Sequence, residues 1–325
     1  GGVITRAVVA NPDLEINYFS KASTIDQFLV QNTDMIADYD FMYKVVKAEI
    51  ETQPDNFYFN FGNYSGKFFI SPYKNIYQKE KRDVEIIPSF DNNGDITSFV
   101  IKDELGNVYE FTAAERTTHT LDDDYGNLPP SRTQYTYNSS WYLTKITNAT
   151  GAEVIEFAYE SLSLPFTPPI NANSYESMTY GDGTTATAGL GCPTVDVCPI
   201  GPSYTYSGIA SVSISNRKFL TSISYKQGGV VLERLDFTSS SNTYPYAYGG
   251  KKLDKITLLR GTGGAMNGLI DYRFSYSGAT NRLTLTSFQE TQYNNTGVAK
   301  QPYLFTYNTS YQLPSPTSSS IDHWG

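Results

Sequence analysis

Histidine and cysteine are almost missing from this chain. Its 325 residues hold two of each, and those scarcities exclude a good deal. A serine nucleophile needs a base oriented by a third group. Only His119, inside Thr117-Thr118-His119-Thr120, and His323, beside the end, could be that base. No Gly-x-Ser-x-Gly elbow is present either, so a histidine-based hydrolase is disfavoured. A zinc site would need more ligands than these four residues bring together. No run of about 18 apolar residues occurs, so no transmembrane helix is expected. Cations are scarce as well: 24 Lys and Arg against 33 Asp and Glu, a formal net charge of −9. The one basic run, Lys79–Arg82, reads as a solvated strand end. Nucleic acids and anionic membranes both require clustered cations, so neither is an expected partner. No signal peptide is visible. The start at Gly1-Gly2 without Met reads as a fragment or a mature form, compatible with a targeting segment removed upstream.

Aromatic residues fill the space left by these absences. There are 27 Tyr and 18 Phe, with 25 Gly and 16 Pro. Tyr and Phe suit half-buried pleated surfaces, and the composition reads as all-β. At 39% hydrophobic the chain can build a sizeable core without disulfides or metals.

Residues 1–50 read as an extended N-terminal strand, a turn at Asn11-Pro12-Asp13, and a helical segment over 24–50. Ile25, Phe28 and Leu29, then Tyr39, Met42, Val46 and Ile50, carry the helical spacing. Ser23 or Thr24 is the expected cap, and a break around Asn32–Asp34 would divide the segment in two. From residue 51 the period becomes two. Phe57, Phe59 and Phe61 open this region, with Tyr64–Gly66 as their turn. Five hairpins are expected: 96–102 with 108–112, 142–147 with 153–160, 219–225 with 230–237, 253–259 with 269–276, and 283–290 with 302–308. Their first strands share a pattern (Tyr142-Leu143-Thr144, Phe219-Leu220-Thr221, Arg282-Leu283-Thr284) and their second strands end in ring-x-ring or a near match, as in Phe274/Tyr276. The repeat is close to 30 residues, which marks a stacked architecture. Residues 51–160 and 208–308 therefore form one continuous β domain. An inserted loop over 161–207 interrupts it, and a Pro/Ser-rich exit segment, 309–325, follows.

Each candidate site has a structural reading beside the chemical one. Five residues separate Cys192 from Cys198 in a Gly/Pro loop, and a disulfide closing that loop is preferred to two free thiols. Asp91, Asn93 and Asp95 place oxygens at alternate positions, as a calcium loop does. The twelfth position is Lys102 instead of Glu, however, and an Asn-Gly hairpin turn accounts for the stretch. Asp122 and Asp124 belong to the densest acidic cluster, read as a hydrated turn or a weak cation site. GTGGAMNG (261–268) is followed by a strand where a nucleotide loop needs a helix, and GNYSGK (62–67) misses the phosphate-loop spacing, so no cofactor is implied. Ile270, Tyr272, Phe274 and Tyr276 share one face of a strand whose other face carries Asp271, Arg273 and Ser275. This is a half-buried pattern in which rings line a sheet more readily than they bind sugars. Tyr244, Tyr246 and Tyr248, in a loop, are the candidates for ligand contact.

The stretch Tyr142–Tyr159, YLTKITNATGAEVIEFAY, resembles a YD repeat of the RHS type, and Asn93–Phe111 is a looser copy. Gly1–Arg6 with Asn11-Pro12-Asp13, the Phe57–Phe61 and Ser65–Phe68 signatures, and the terminal Asp322–Gly325 are similar to segments of large bacterial RHS and toxin-complex-like surface proteins. Tyr159-Glu160, Tyr276-Ser277 and Tyr307-Asn308 depart from the Tyr-Asp that names the repeat. The resemblance implies a secreted or surface bacterial protein whose hairpins form a long curling sheet. Its partners would be its own downstream repeats or a C-terminal domain, with a surface glycan or protein as further candidates. It brings no catalytic residues.

The expected protein is thus all-β: a large twisted antiparallel sheet of sequential hairpins, with one or two short helices near the N-terminus. The expected function is a non-enzymatic scaffold for a downstream domain. A carbohydrate-binding module using exposed Tyr is the first alternative, and a glycoside hydrolase or lyase the second.

Overall fold

The computed structural model describes residues 1–9, 12–30, 35–46, 49–123, 134–162, 208–242, 250–262, 265–280, 282–295, 297 and 299–308. These described residues form an open antiparallel sheet of 16 strands with two helices near the N-terminus. Strand β1 is Gly2–Ala7. A 3-10 turn, Phe19–Lys21, runs into α1, Ala22–Val30, so the helix starts from that turn and not from a Ser23 or Thr24 cap. Helix α2 is Met35–Val46. The two helices lie either side of the expected break, whose residues are outside those described. Phe28 stacks on Phe41 at 3.9 Å, and Ile25, Phe41 and Ile50 form a small core of their own.

Next come β2 (Asn56–Phe61), β3 (Tyr64–Ile70), β4 (Ile76–Gln78), β5 (Val84–Phe90) and β6 (Ile96–Asp103). The long β7 (Val108–Asp123) and β8 (Gln134–Thr147) precede β9 (Glu153–Leu162) and β10 (Gly208–Ser215). The final set is β11 (Arg217–Gln227), β12 (Val230–Ser241), β13 (Lys251–Thr262), β14 (Ala265–Thr280), β15 (Arg282–Gln292) and the two-residue β16 (Tyr303–Leu304). All five expected hairpins pair antiparallel. The expected 260–268 loop is tighter than the sequence suggests, because β13 and β14 pair as far as Thr262 with Ala265.

The sheet forks at β8. One edge of β8 pairs with β7 along most of its length. The other edge is shared: Ser140–Tyr142 pair with β1, and Lys145–Thr147 with β9. The β1–β2–β3–β4 branch folds over β5–β6–β7. Rings fill the gap between these layers. Phe57 and Phe68 meet Phe99 at 6.0 and 5.8 Å, and Phe61 meets Phe111 at 5.4 Å. Phe57, Phe59 and Phe61 are all buried while Tyr58 and Asn60 between them are exposed, the period-two outcome of one covered face. Trp141, fully buried, donates its indole N–H to the Ile96 carbonyl, which satisfies the one polar atom it takes inside.

Beyond β9 the second layer ends. Strands β11 to β15 follow one another as neighbours, and their residues are mostly half-buried on both faces.

Candidate functional site

Two features stand out: a row of apolar side chains on the single-layered part of the sheet, and a sealed charge cluster in the two-layered part.

Directly opposed residues in antiparallel strands share a face. Phe157 opposes Ile223, Ile223 opposes Leu235, Leu235 opposes Leu258, and Leu258 opposes Ile270. This row begins in the main core at Phe157 and crosses five strands. Beside it run Phe237–Ile256–Tyr272 and then Phe274–Phe288–Tyr303. The Tyr272 and Phe288 rings stack at 5.9 Å and 7°. In β2 the corresponding rings are 1–2% exposed, whereas from Ile223 onward the row is half-buried until Tyr303, which is 68% exposed. The expected ring-lined face is therefore present, but past Phe157 it is not fully buried by anything among the described residues.

The opposite face is laced with ion pairs: Lys145 with Glu110, Lys226 with Glu156, and Arg234 with Asp236. It also differs from expectation at Asp271, which is fully buried. The Thr257 hydroxyl and the Asn294 N–H donate to it, and Arg273 and Lys255 lie 3.0 and 3.6 Å away. Burial works against its charge. The Thr257 bond and the Lys255 charge outweigh that and hold its carboxyl below the ordinary value.

The charge cluster lies under the N-terminal segment. Arg6 on β1 is buried, and its Nε donates to Asp55 Oδ2 at 2.7 Å. Its Nη2 donates to the Asp13 carbonyl, and its Nη1 stands 3.7 Å from Asp95. The rings of Tyr137 and Phe57 flank the guanidinium at 5.2 and 5.7 Å. Asp55 also accepts the N–H groups of Val9 and Asp13, so it cross-links the chain on both sides of Pro12.

Among the sequence candidates, the Asp91–Asp95 stretch follows its hairpin-turn reading. Asp91 Oδ1 accepts the N–H groups of Asn93 and Asp95, and Gly94 takes a φ of +77°. A Cβ on Gly94 would stand 2.5 Å from the Glu15 nitrogen, so glycine is required on both counts. Asp95 turns inward to Arg6, to Arg116 at 3.8 Å, and to the Asn138 N–H. Among the described residues no three His, Cys, Asp or Glu converge as metal ligands. Asp122 sits on β7 opposite Ile209. Asp124, Cys192, Cys198, Tyr244, Tyr246 and Tyr248 lie outside the described residues. Arg6, Asp13, Asp55 and Asp271 were not singled out from sequence. The readable signal was a lone arginine in an apolar strand, followed by Asn-Pro-Asp.

Cavities open at the surface among the described residues. One of about 290 Å³ lies between the helices, lined by Ile25, Phe28, Phe41, Met42, Val45 and Thr52. Another, about 340 Å³, is lined by Asp83 and Glu104 together with Lys81, Arg82 and Tyr64, whose hydroxyl donates to Glu104. No helix among the described residues is long and apolar enough to cross a membrane.

No family model and no curated protein matches this chain. Among solved structures it is similar to the N-terminal domain of effector protein SpvB from Salmonella typhimurium strain LT2, with a TM-score of 0.38 and 11% identity over 72% of this chain and 73% of that one. It is also similar to TcdB2-TccC3, with a TM-score of 0.40 and 10% identity over 79% of this chain and 13% of that one. These likenesses are distant and say nothing of what the chain does.

Proposed function

We propose that this chain is a non-enzymatic scaffold of an exported bacterial protein, and that its half-buried apolar sheet face packs against a further part of the same polypeptide. The observation that carries this reading is the continuous row from Phe157 through Ile223, Leu235 and Leu258 to Ile270, flanked by Tyr272, Phe274 and Phe288. A contiguous apolar face of this extent marks an interaction surface. The opposite face carries paired charges and, at Asp271, a buried carboxylate already answered by its own donors and cations. The RHS-type pattern of Tyr142–Tyr159 supports the same reading, since sheets of that type present a downstream domain. The Arg6 cluster is buried, with Arg6 and Asp55 paired inside, which favours a structural role for these carboxylates.

Photocrosslinking tests the proposal. A benzophenone-bearing residue replaces Leu235 or Phe274 on the apolar face, or Thr238 on the other face, in the full-length natural polypeptide. Crosslinks to downstream sequence from the first two positions alone are expected. Equal crosslinking from both faces, or none from the apolar one, overturns the proposal.

A further inference from the structure

The Arg6 cluster contains more negative charge than its cations answer. Asp13, Asp55 and Asp95 are each at least nine-tenths buried, and among the described residues Arg6 is the one cation buried with them. Arg116, 42% exposed, reaches only Asp95. Asp13 and Asp55 are locked face to face: the Asp55 N–H donates to Asp13 Oδ2 at 2.8 Å, and the Asp13 N–H donates to Asp55 Oδ2 at 3.1 Å. The two carboxylates are not equivalent. Asp55 has the Arg6 guanidinium and two backbone donors. Asp13 has no ion pair, and its Oδ1 is buried without any hydrogen-bond partner. A bare buried oxygen on a charged group costs more than a neutral one, and Oδ1 is the atom where a proton disturbs no existing bond.

We propose that the Asp13–Asp55 pair is a one-proton lock on the N-terminal segment: Asp13 holds a proton while the fold is closed, and losing it in mildly alkaline solution releases residues 12–18 from β1 and from Asp55. This segment has much to release. Leu14 N–H bonds the Asn17 side chain, Asn17 bonds the Pro12 carbonyl, Glu15 N–H bonds the Asn93 carbonyl, and Glu51 N–H bonds the Asn17 carbonyl. Three stretches of chain are thus tied through residues next to Asp13. The groups facing it are Asp55 and Glu51 ahead of β2, Arg6 on β1, and Tyr18 on its own segment. Burial, then the charge of Asp55, pushes the Asp13 carboxyl from 3.8 up to about 8, against the Asp55 N–H bond and Arg6. A raised folded-state value fixes the sign. The stability contributed by the protonated form is complete below about pH 4 and is lost as pH climbs through about 8.

Thermal unfolding from pH 5.5 to 9 tests the lock, with Asp13→Asn, which keeps an oxygen for the Asp55 N–H, and exposed Asp83→Asn as control. The wild type and the control should lose roughly 5 °C or more of Tm over that range, and Asp13→Asn should lose much less. Equal slopes for all three overturn the proposal. Should Asp13→Asn fail to fold, amide exchange of the wild-type chain decides. Corrected for the intrinsic rate, opening of residues 14–18 should rise about fivefold between pH 7 and pH 8 and level off above that. No rise there overturns the lock.

Discussion

Single charged residues decide how tightly the N-terminal half is tied. Arg6 sits on a strand read from sequence as extended, and its three carboxylate neighbours lie 7, 49 and 89 residues away in sequence. No local pattern links them. Asp95 looked like a turn ligand because its turn is legible, while the inward aim of its side chain follows from β1 passing beneath. Replacing Arg6 with Ala leaves Asp55 buried without its cation, and should cost about 3–5 kcal/mol by urea unfolding at neutral pH. Asp271→Ala should cost about 1–3 kcal/mol by leaving Thr257 and the Asn294 N–H unpaired. Because the Asp271 carboxyl is held below its ordinary value, its contribution is complete above about pH 4 and is lost as pH falls further. The difference between wild type and Asp271→Ala should accordingly shrink by pH 3.

Strands of like sequence take unlike environments. Phe57 and Phe274 both belong to ring-x-ring strands, yet one lies between two layers and the other on one. Phe57→Ala should cost about 3–5 kcal/mol. Phe274→Ala should cost about 1 kcal/mol, close to a cross-strand pair contribution. Equal losses in urea unfolding would mean that β14 is covered as fully as β2. The hairpins were legible because turn residues and period-two alternation are local. The fork at β8 was not, since it depends on β1 and β9 dividing one edge, a competition between segments 130 residues or more apart. The two helical stretches, now α1 and α2, were readable from the spacing of their apolar residues.

At the scale of the molecule, an open sheet has ends to manage. The path ends at β4 on one side and β16 on the other. Beside β15, Phe305 N–H bonds the Thr286 carbonyl, while Tyr303, Leu304, Phe305 and Tyr307 are all exposed. An apolar edge that is exposed among the described residues templates further pairing. Sedimentation velocity should find the wild-type chain associating as concentration rises, and Leu304→Lys should hold it monomeric. A monomeric wild type with rapid amide exchange over 302–306 would contradict this.

What the sequence by itself determined was the all-β class, the serial antiparallel hairpins and the ring-bearing face, because strand period, turn chemistry and aromatic content act over a few residues. What only the tertiary structure decided was which rings are covered, where the sheet divides, and which acids share Arg6. Those depend on the path of β1 and β2 across the sheet, and burial and charge pairing act through space between residues that the sequence holds far apart.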